Sequence, residues 1–240
     1  DLVHPLAGCT LERLLESIST PHRHVAVVGA PGCGAEAVAA AVAQATMARL
    51  VVAPPAYAAA VRLAGAPRRS QAAAVWIEAV EAAARPLAAS RWPKDPHGTV
   101  SDYWLPTLRF AAESALEAEP AERFAAGFDA AIRGTVPPQV AILLVAPADL
   151  LAERSRRQDA ATGRFLGGEH EDRGGGRQAT ACVAEESRIQ GLGRLQERLV
   201  SALRRPHPQE RLGPGAVVTI AADDLGRAIQ EAVAAVEALA

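Results

Sequence analysis

The chain has 240 residues, of which half are apolar and 4% aromatic, and its formal net charge is −2. This length is enough for one large α/β domain or two small ones, and the weak net charge excludes a general electrostatic attraction to nucleic acid or to an anionic membrane. Three cysteines without metal-ligand spacing, and no apolar run of the roughly 18 residues that a membrane span needs, predict a cytoplasmic protein without a disulfide framework.

Apolar, strand-like runs alternate with helical segments along the chain, which predicts a parallel sheet covered by helices on both faces. The run Val140–Val145 has no polar interruption, as expected of a central strand buried on both sides. We predict strands at 24–29, 50–53, 98–101, 140–146 and 216–221. We predict helices at 35–48, 70–89, 105–117, 120–133, 148–157, 183–203 and 223–239. Asp223 or Asp224 is well placed to cap the last helix, because its carboxylate can accept from the free N–H groups of the first turn.

The first predicted strand leads into a glycine-rich loop at 29–34, GAPGCG, which is followed by an alanine-rich helix. The first and last glycines have the separation found in the phosphate-binding pattern G-x-x-x-x-G-K-[ST]. In a working loop the lysine neutralises the phosphates and the hydroxyl holds magnesium, whereas this chain has Ala35 and Glu36 there. The sequence therefore predicts a degenerate Walker A loop. The residues that we assign to phosphate are Gly29, Gly32, Cys33, Gly34, Ala35 and Glu36.

Two parts of the chain leave alternatives open. Cys33 lies at a predicted helix N-terminus, where a thiol can be reactive, but a small residue that fills the loop is the simpler interpretation. The glycine-rich segment 158–178 follows Arg154, Arg156 and Arg157. It is either a solvated flexible loop or a glycine-hinged lid that carries arginines over bound phosphates.

Taken together, these features resemble the deoxynucleoside kinase family over about residues 22–240. In that family the second strand ends in Glu-Pro, and the glutamate is the base for the sugar hydroxyl; here Ala53 occupies the glutamate position before Pro54. Gln71 looks like the glutamine that reads the nucleobase. The third strand ends in Ser101-Asp102-Tyr103-Trp104, which resembles the Ser-Asp-Tyr variant of the acidic motif in bacterial members. The resemblance implies a nucleoside site formed by Gln71, Asp102, Tyr103 and Trp104, in which the indole could stack on a base.

The resemblance implies a P-loop NTPase three-layer sandwich: a five-stranded parallel sheet with helices on both faces and an arginine-bearing lid. It also implies a nucleoside or nucleotide ligand, ATP and Mg²⁺ as cofactors, and a homodimer that pairs through helices 70–89 and 105–117. Because Ala35, Glu36 and Ala53 replace three functional groups of one site, we expect weak or absent ATP binding and loss of ordinary kinase activity, as in a pseudokinase. The expected role is a nucleotide-binding or interaction module fused to a folate-pathway pyrophosphokinase. One alternative is an active (deoxy)nucleoside kinase in which Arg154, Arg156 or Arg157 replaces the lysine. Another is a purely structural dimerisation domain.

Residues 1–15, DLVHPLAGCTLERLL, resemble the C-terminal end of hydroxymethyl-dihydropterin pyrophosphokinase, where a Val-His-Pro turn leads to a closing helix. This stretch carries no catalytic group. It predicts a division into residues 1–21, the tail of an upstream pyrophosphokinase-like domain or a linker, and residues 22–240, the kinase-like domain. The alternative is a chance similarity of a loop and a helix.

Overall fold

The computed structural model describes residues 23–63, 73–91, 98–161, 177–204 and 213–239. Within these ranges five parallel strands form one sheet in the order β2-β3-β1-β4-β5. The strands are β1 (His24–Val28), β2 (Arg49–Val51), β3 (Thr99–Ser101), β4 (Val140–Val145) and β5 (Ala216–Ala221). All five predicted strands, and the five-stranded parallel α/β architecture, are confirmed.

β1 lies between β3 and β4 in the middle of the sheet. Val25 pairs with Val100 on one side and with Val140 on the other. In β4 the residues from Ala141 to Leu144 are completely buried, because helices cover the sheet on both faces. Parallel strands leave their carboxyl ends at one edge, so the loops that follow β1, β2 and β3 meet there. That edge is where the candidate site forms.

The described residues contain eight α-helices. They are α1 (Ala35–Ala45), α2 (Pro55–Arg62), α3 (Ala73–Ala84), α4 (Pro106–Ala115), α5 (Ala118–Ala131), α6 (Ala148–Ala161), α7 (Arg177–Arg204) and α8 (Leu225–Glu237). Seven of them coincide with predicted helices, and α2 is a helix that the sequence analysis does not predict. Pro55 is its first residue, a position where the fixed backbone angle of proline favours a helix start.

Several helix ends differ from the predicted ends. α3 stops at Ala84 rather than at 89, because Pro86 belongs to a short 3₁₀ turn, Arg85–Leu87, that follows it. α6 continues four residues past its predicted end, and α7 begins six residues before its predicted start. The predicted cap of the last helix is Asp224, whose Oδ1 accepts a hydrogen bond from the Arg227 backbone N–H at 3.1 Å.

Two layers of helices enclose the sheet. α1 and α8 pack against each other, and they lie on β1 and β5 respectively. In the other layer α3 packs on α5, where the Trp76 and Phe124 rings meet edge to face at 6.1 Å between centroids. In the part of the chain that the structure describes, no helix has both the length and the apolar character that crossing a bilayer requires.

Candidate functional site

The glycine loop between β1 and α1 has the backbone shape that its sequence predicts. Gly32 and Gly34 have φ angles of +89° and +87°, in the left-handed region that glycine adopts without strain. The Cys33 backbone N–H donates to the Ala30 carbonyl oxygen at 3.1 Å and closes the turn. Gly34 precedes the first residue of α1, so the unpaired N–H groups of the first helical turn lie next to the loop. Such an arrangement can bind an anion through backbone groups alone.

The loop is packed tightly against its neighbours. A Cβ on Gly32 would collide with the Leu151 carbonyl oxygen in α6, and a Cβ on Gly34 would lie 2.5 Å from the Leu225 side chain in α8. The Cys33 side chain is 2% exposed and fills the space beside Gly29. Burial raises the pKa of the Cys33 thiol to about 11, which keeps it protonated at neutral pH. This geometry favours the loop-filler interpretation of Cys33 over the reactive thiol.

A cavity of about 300 Å³ opens beside the loop at the carboxyl edge of the sheet. It brings together most of the residues that the sequence analysis assigns to phosphate, to the lost base and to the nucleoside. Its lining in the described part of the chain includes Gly29, Gly32, Cys33, Gly34, Ala35, Glu36, Ala53, Tyr57, Arg62, Asp102, Tyr103, Trp104 and Gln158.

Asp102 connects the ends of β3 and β2 within this cavity. Its Oδ1 accepts a hydrogen bond from the Ala53 backbone N–H at 2.6 Å. Burial raises the pKa of the Asp102 carboxyl from 3.8 to about 6; the Ala53 hydrogen bond opposes that rise, and the charge of Glu36 adds to it. A carboxyl group therefore lies beside the backbone of Ala53, the residue that the sequence analysis assigns to the missing base. Asp102 and Glu36 are also the carboxylates of the described lining that could contact Mg²⁺, which usually takes one or two carboxylates together with substrate phosphates.

The aromatic side chains form an apolar wall whose polar groups are already paired. The Tyr57 hydroxyl donates to the Trp104 carbonyl oxygen at 3.0 Å, and the Tyr103 hydroxyl donates to the Ala83 carbonyl oxygen at 2.8 Å. Trp104 is only 3% exposed, and its ring lies 6.2 Å from that of Phe110 between centroids. Little of the indole face is therefore available for stacking on a base.

The three arginines that the sequence analysis offers as lid candidates are held outside the cavity lining. Arg154 donates to the carbonyl oxygens of Ala222 (2.5 Å) and Asp223 (2.6 Å), just after β5. Arg156 forms an ion pair with Glu185 at 3.2 Å. Arg157 forms an ion pair with Glu153 on its own helix, α6.

A different arginine, which the sequence analysis does not single out, lines the cavity. Arg62 is the last residue of α2, and its Nη1 lies 3.3 Å from Asp159 Oδ1 in α6. Asp159 also accepts from Arg188 in α7 at 2.6 Å, so this ionic cluster joins three helices beside the cavity. Its sequence signal is weak, because Arg62 can be placed at the site only once α2 is known to be a helix.

Some predicted site residues lie outside the described residues. These are Gln71, the middle of the predicted lid segment 158–178, and the N-terminal stretch 1–21. Among the described residues, no group of three or more histidine, cysteine, aspartate or glutamate side chains is arranged to hold a metal ion.

The fold is similar to those of solved P-loop kinases. Two structures of deoxyadenosine kinase from M. mycoides, one with the products dCMP and a flexible dCDP bound and one with bound dCTP, match with TM-scores of 0.60. They are 11% and 10% identical, over 90% of this chain and 100% and 99% of theirs. A gluconokinase from Sinorhizobium meliloti matches at a TM-score of 0.42 and 17% identity, over 92% of this chain and 94% of its own. No protein-family model and no curated protein sequence matches the chain. The chain has a P-loop kinase-like fold.

Proposed function

We propose that this chain is a nucleoside- or nucleotide-binding P-loop domain that has lost ordinary kinase activity. The observation that carries the proposal is the contrast within one loop. Gly32 and Gly34 have positive φ angles in a tight turn before a helix, which supports a phosphate-binding backbone, while Ala35 and Glu36 stand where the pattern has lysine and a hydroxyl. Glu36 also shares the cavity with Asp102, so two carboxylates line the space beside the glycine loop.

These replacements should strongly reduce the rate of phosphoryl transfer. Phosphoryl transfer depends mainly on positioning and on neutralising the charge of the phosphates, and both loop replacements remove that neutralisation. The alanine at position 53 removes a proton acceptor that typically contributes about 10²–10⁴-fold to the rate. The backbone N–H groups at the start of α1 remain, and they can bind an anion without a lysine. Binding therefore survives these changes more readily than catalysis does.

The experiment combines ligand binding with gain of function. In thermal scans of the purified chain, a deoxynucleoside should raise the melting temperature, whereas Mg-ATP should barely change it. A ligand present at 100 times its Kd stabilises the fold by about 2.7 kcal/mol, which a thermal scan detects easily. The double variant Ala35→Lys/Glu36→Ser should gain Mg-ATP binding. Ala40→Lys, which adds a lysine at an exposed position on α1 outside the loop, is the control and should not.

Kinase assays test the catalytic half of the proposal. The unmodified chain should phosphorylate none of the four deoxynucleosides with ATP, and the double variant should turn over only slowly until Ala53→Glu is added. Strong ATP-dependent phosphorylation by the unmodified chain would contradict the loss of activity. A chain that binds neither nucleosides nor nucleotides would contradict the binding role as well.

A second candidate function, an active (deoxy)nucleoside kinase, is favoured by one specific observation. The Asp102 carboxyl is hydrogen-bonded to the Ala53 backbone N–H, so an acid–base group remains next to the position of the lost glutamate. In such an enzyme Asp102 would accept the proton of the sugar hydroxyl. Phosphorylation that is present in the unmodified chain and abolished by Asp102→Asn, with nucleoside binding retained, would select this candidate.

The homodimer is the third proposal, and it places α3 and α4 at an interface between two copies. Most of α4 packs inside the chain, and on α3 the side chain of Val75 is 56% exposed. Light scattering at high micromolar concentration should then give a dimer that Val75→Lys dissociates. A monomer in the unmodified chain would contradict the proposal.

We further propose that residues 1–21 are the tail of an upstream pyrophosphokinase-like domain or a linker, and that residues 22–240 form the kinase-like domain. The support is the similarity of residues 1–15 to the end of the pterin enzyme. The complete reading frame tests it: some two hundred upstream codons with pterin-site motifs would support the fusion, and an unrelated upstream sequence would contradict it.

A further inference from the structure

The charged residues that line the cavity belong to different elements of the fold. Glu36 and Asp102 lie with the glycine loop and the end of β3. Arg62 lies on the wall formed by α2 and α6, and among the described residues it is the cationic side chain that lines the cavity. A ligand that fits this distribution carries an anionic group toward Arg62 and hydrogen-bond donors toward the carboxylates.

Arg62 belongs to an ion-paired cluster that, counted over the described residues, carries more positive than negative charge. Arg62 and Arg188 contribute two positive charges and Asp159 contributes one negative charge, while the three side chains are only 15%, 29% and 12% exposed. Burying charge away from water is costly unless it is compensated, so an anion beside this cluster is favoured. Arg62 is the member of this cluster that lines the cavity in the described part of the chain.

The guanidinium of Arg62 still has donors to offer. An arginine has five N–H donors, and the Arg62–Asp159 hydrogen bond uses Nη1 at 3.3 Å. The remaining donors can form the paired, parallel hydrogen bonds that guanidinium groups make with phosphate or carboxylate oxygens. The lid candidates Arg154 and Arg156 instead hold backbone carbonyls and Glu185.

We propose that Arg62 is an anion-binding residue of this cavity and that it holds the phosphate of a nucleoside monophosphate. The proposal rests on the proposed function, since it names the ligand class of the same site. It also predicts the preference of the site: a nucleoside monophosphate binds more tightly than the corresponding nucleoside, and Arg62 supplies the difference.

The test compares Arg62→Gln with the unmodified chain by calorimetric titration of each deoxynucleoside and its 5′-monophosphate. Charge-assisted hydrogen bonds of this kind correspond to about tenfold or more in affinity. The Arg62→Gln variant should lose that factor for the monophosphate and stay within about twofold of the unmodified chain for the nucleoside. Inorganic phosphate should compete with the monophosphate in the unmodified chain. Absence of that competition would contradict an anion site.

Two further variants separate binding from folding. Arg62→Lys keeps the charge of the buried cluster, so it should fold and bind the monophosphate more weakly than arginine but more tightly than glutamine. Arg156→Gln, an arginine outside the cavity lining, should bind both ligands as the unmodified chain does. Equal weakening of both ligands in Arg62→Gln and Arg62→Lys, or no weakening of either, would overturn the role of Arg62. Failure of the unmodified chain to bind any nucleoside or nucleotide would instead overturn the proposed function.

Discussion

Replacing Asp102 with asparagine removes a charge that the folded protein holds at a cost. Burial and the nearby charge of Glu36 raise the pKa of the Asp102 carboxyl from 3.8 to about 6. At pH values between 3.8 and about 6, the Asp102 carboxyl is protonated in more of the folded molecules than of the unfolded ones. The contribution of Asp102 to the stability of the unmodified chain therefore falls as the pH rises from about 4 to about 6, and the penalty from this group is complete well above pH 6.

The size of this effect follows from the pKa difference. At about 1.4 kcal/mol for each pKa unit, the step from 3.8 to about 6 corresponds to an upper limit of about 3 kcal/mol, which solvent screening lowers because Asp102 is only partly buried. Asparagine has nearly the same shape, and its side-chain oxygen can still accept from the Ala53 backbone N–H. Asp102→Asn should therefore leave stability unchanged near pH 4 and increase the free energy of unfolding by up to about 3 kcal/mol at pH 8.

Urea unfolding of both proteins at several pH values measures this difference. The buried His24 titrates in part of the same range, but it is present in both proteins, so its contribution cancels in the comparison. Glu36→Gln should increase the free energy of unfolding at pH 8 by less than Asp102→Asn does, because it removes only one of the two causes that raise the Asp102 pKa. Asp129→Asn, at an exposed position on α5, is the control and should follow the unmodified chain. A difference between Asp102→Asn and the unmodified chain that does not depend on pH would refute the reasoning.

Three other predictions concern stability. Gly32→Ala should destabilise the fold by more than Gly134→Ala in urea unfolding, because both positions have positive φ but only Gly32 faces a backbone atom, the Leu151 oxygen. Burial lowers the pKa of His24 from 6.5 to about 4, so acidification through that range should remove about 3 kcal/mol of stability, and an asparagine variant whose pH profile matches the unmodified chain would contradict this. Asp224→Ala should cost about 1 kcal/mol through loss of the helix cap, and an unchanged unfolding midpoint would show that the cap contributes nothing.

The strands could be predicted because their signal is local. Uninterrupted apolar runs such as Val140–Val145 bury both faces of a parallel strand, and no distant contact is needed to recognise them. α2 could not be predicted in the same way. It has eight residues, begins at Pro55, and is too short to show a clear helical period. Packing on neighbouring helices, rather than its own sequence, favours its helical state.

The site could be predicted in part, for a related reason. The order of motifs places the glycine loop and Asp102 at the same edge of the sheet. The hydrogen bond between Asp102 and the Ala53 backbone joins the ends of two strands. Motif comparison could not predict it, because it assigns each of these two residues to a separate motif. Arg62 lines the cavity, and its ion pair is with Asp159 in α6, which lies far away in sequence. Tertiary contacts of this kind leave no pattern in a single sequence.

The packing of the loop also explains how its glycines can be kept while its charged side chains differ from those of a phosphate-binding loop. Gly29, Gly32 and Gly34 are each pressed against a neighbour: the Cys33 sulfur, the Leu151 backbone and the Leu225 side chain. The fold itself therefore requires these glycines, whether or not a phosphate binds. Glu36 is exposed, so no packing contact restricts the side chain there. A loop that serves the core can accordingly keep its glycine geometry while it lacks lysine and hydroxyl, and these two side chains are what a gain-of-binding variant has to add.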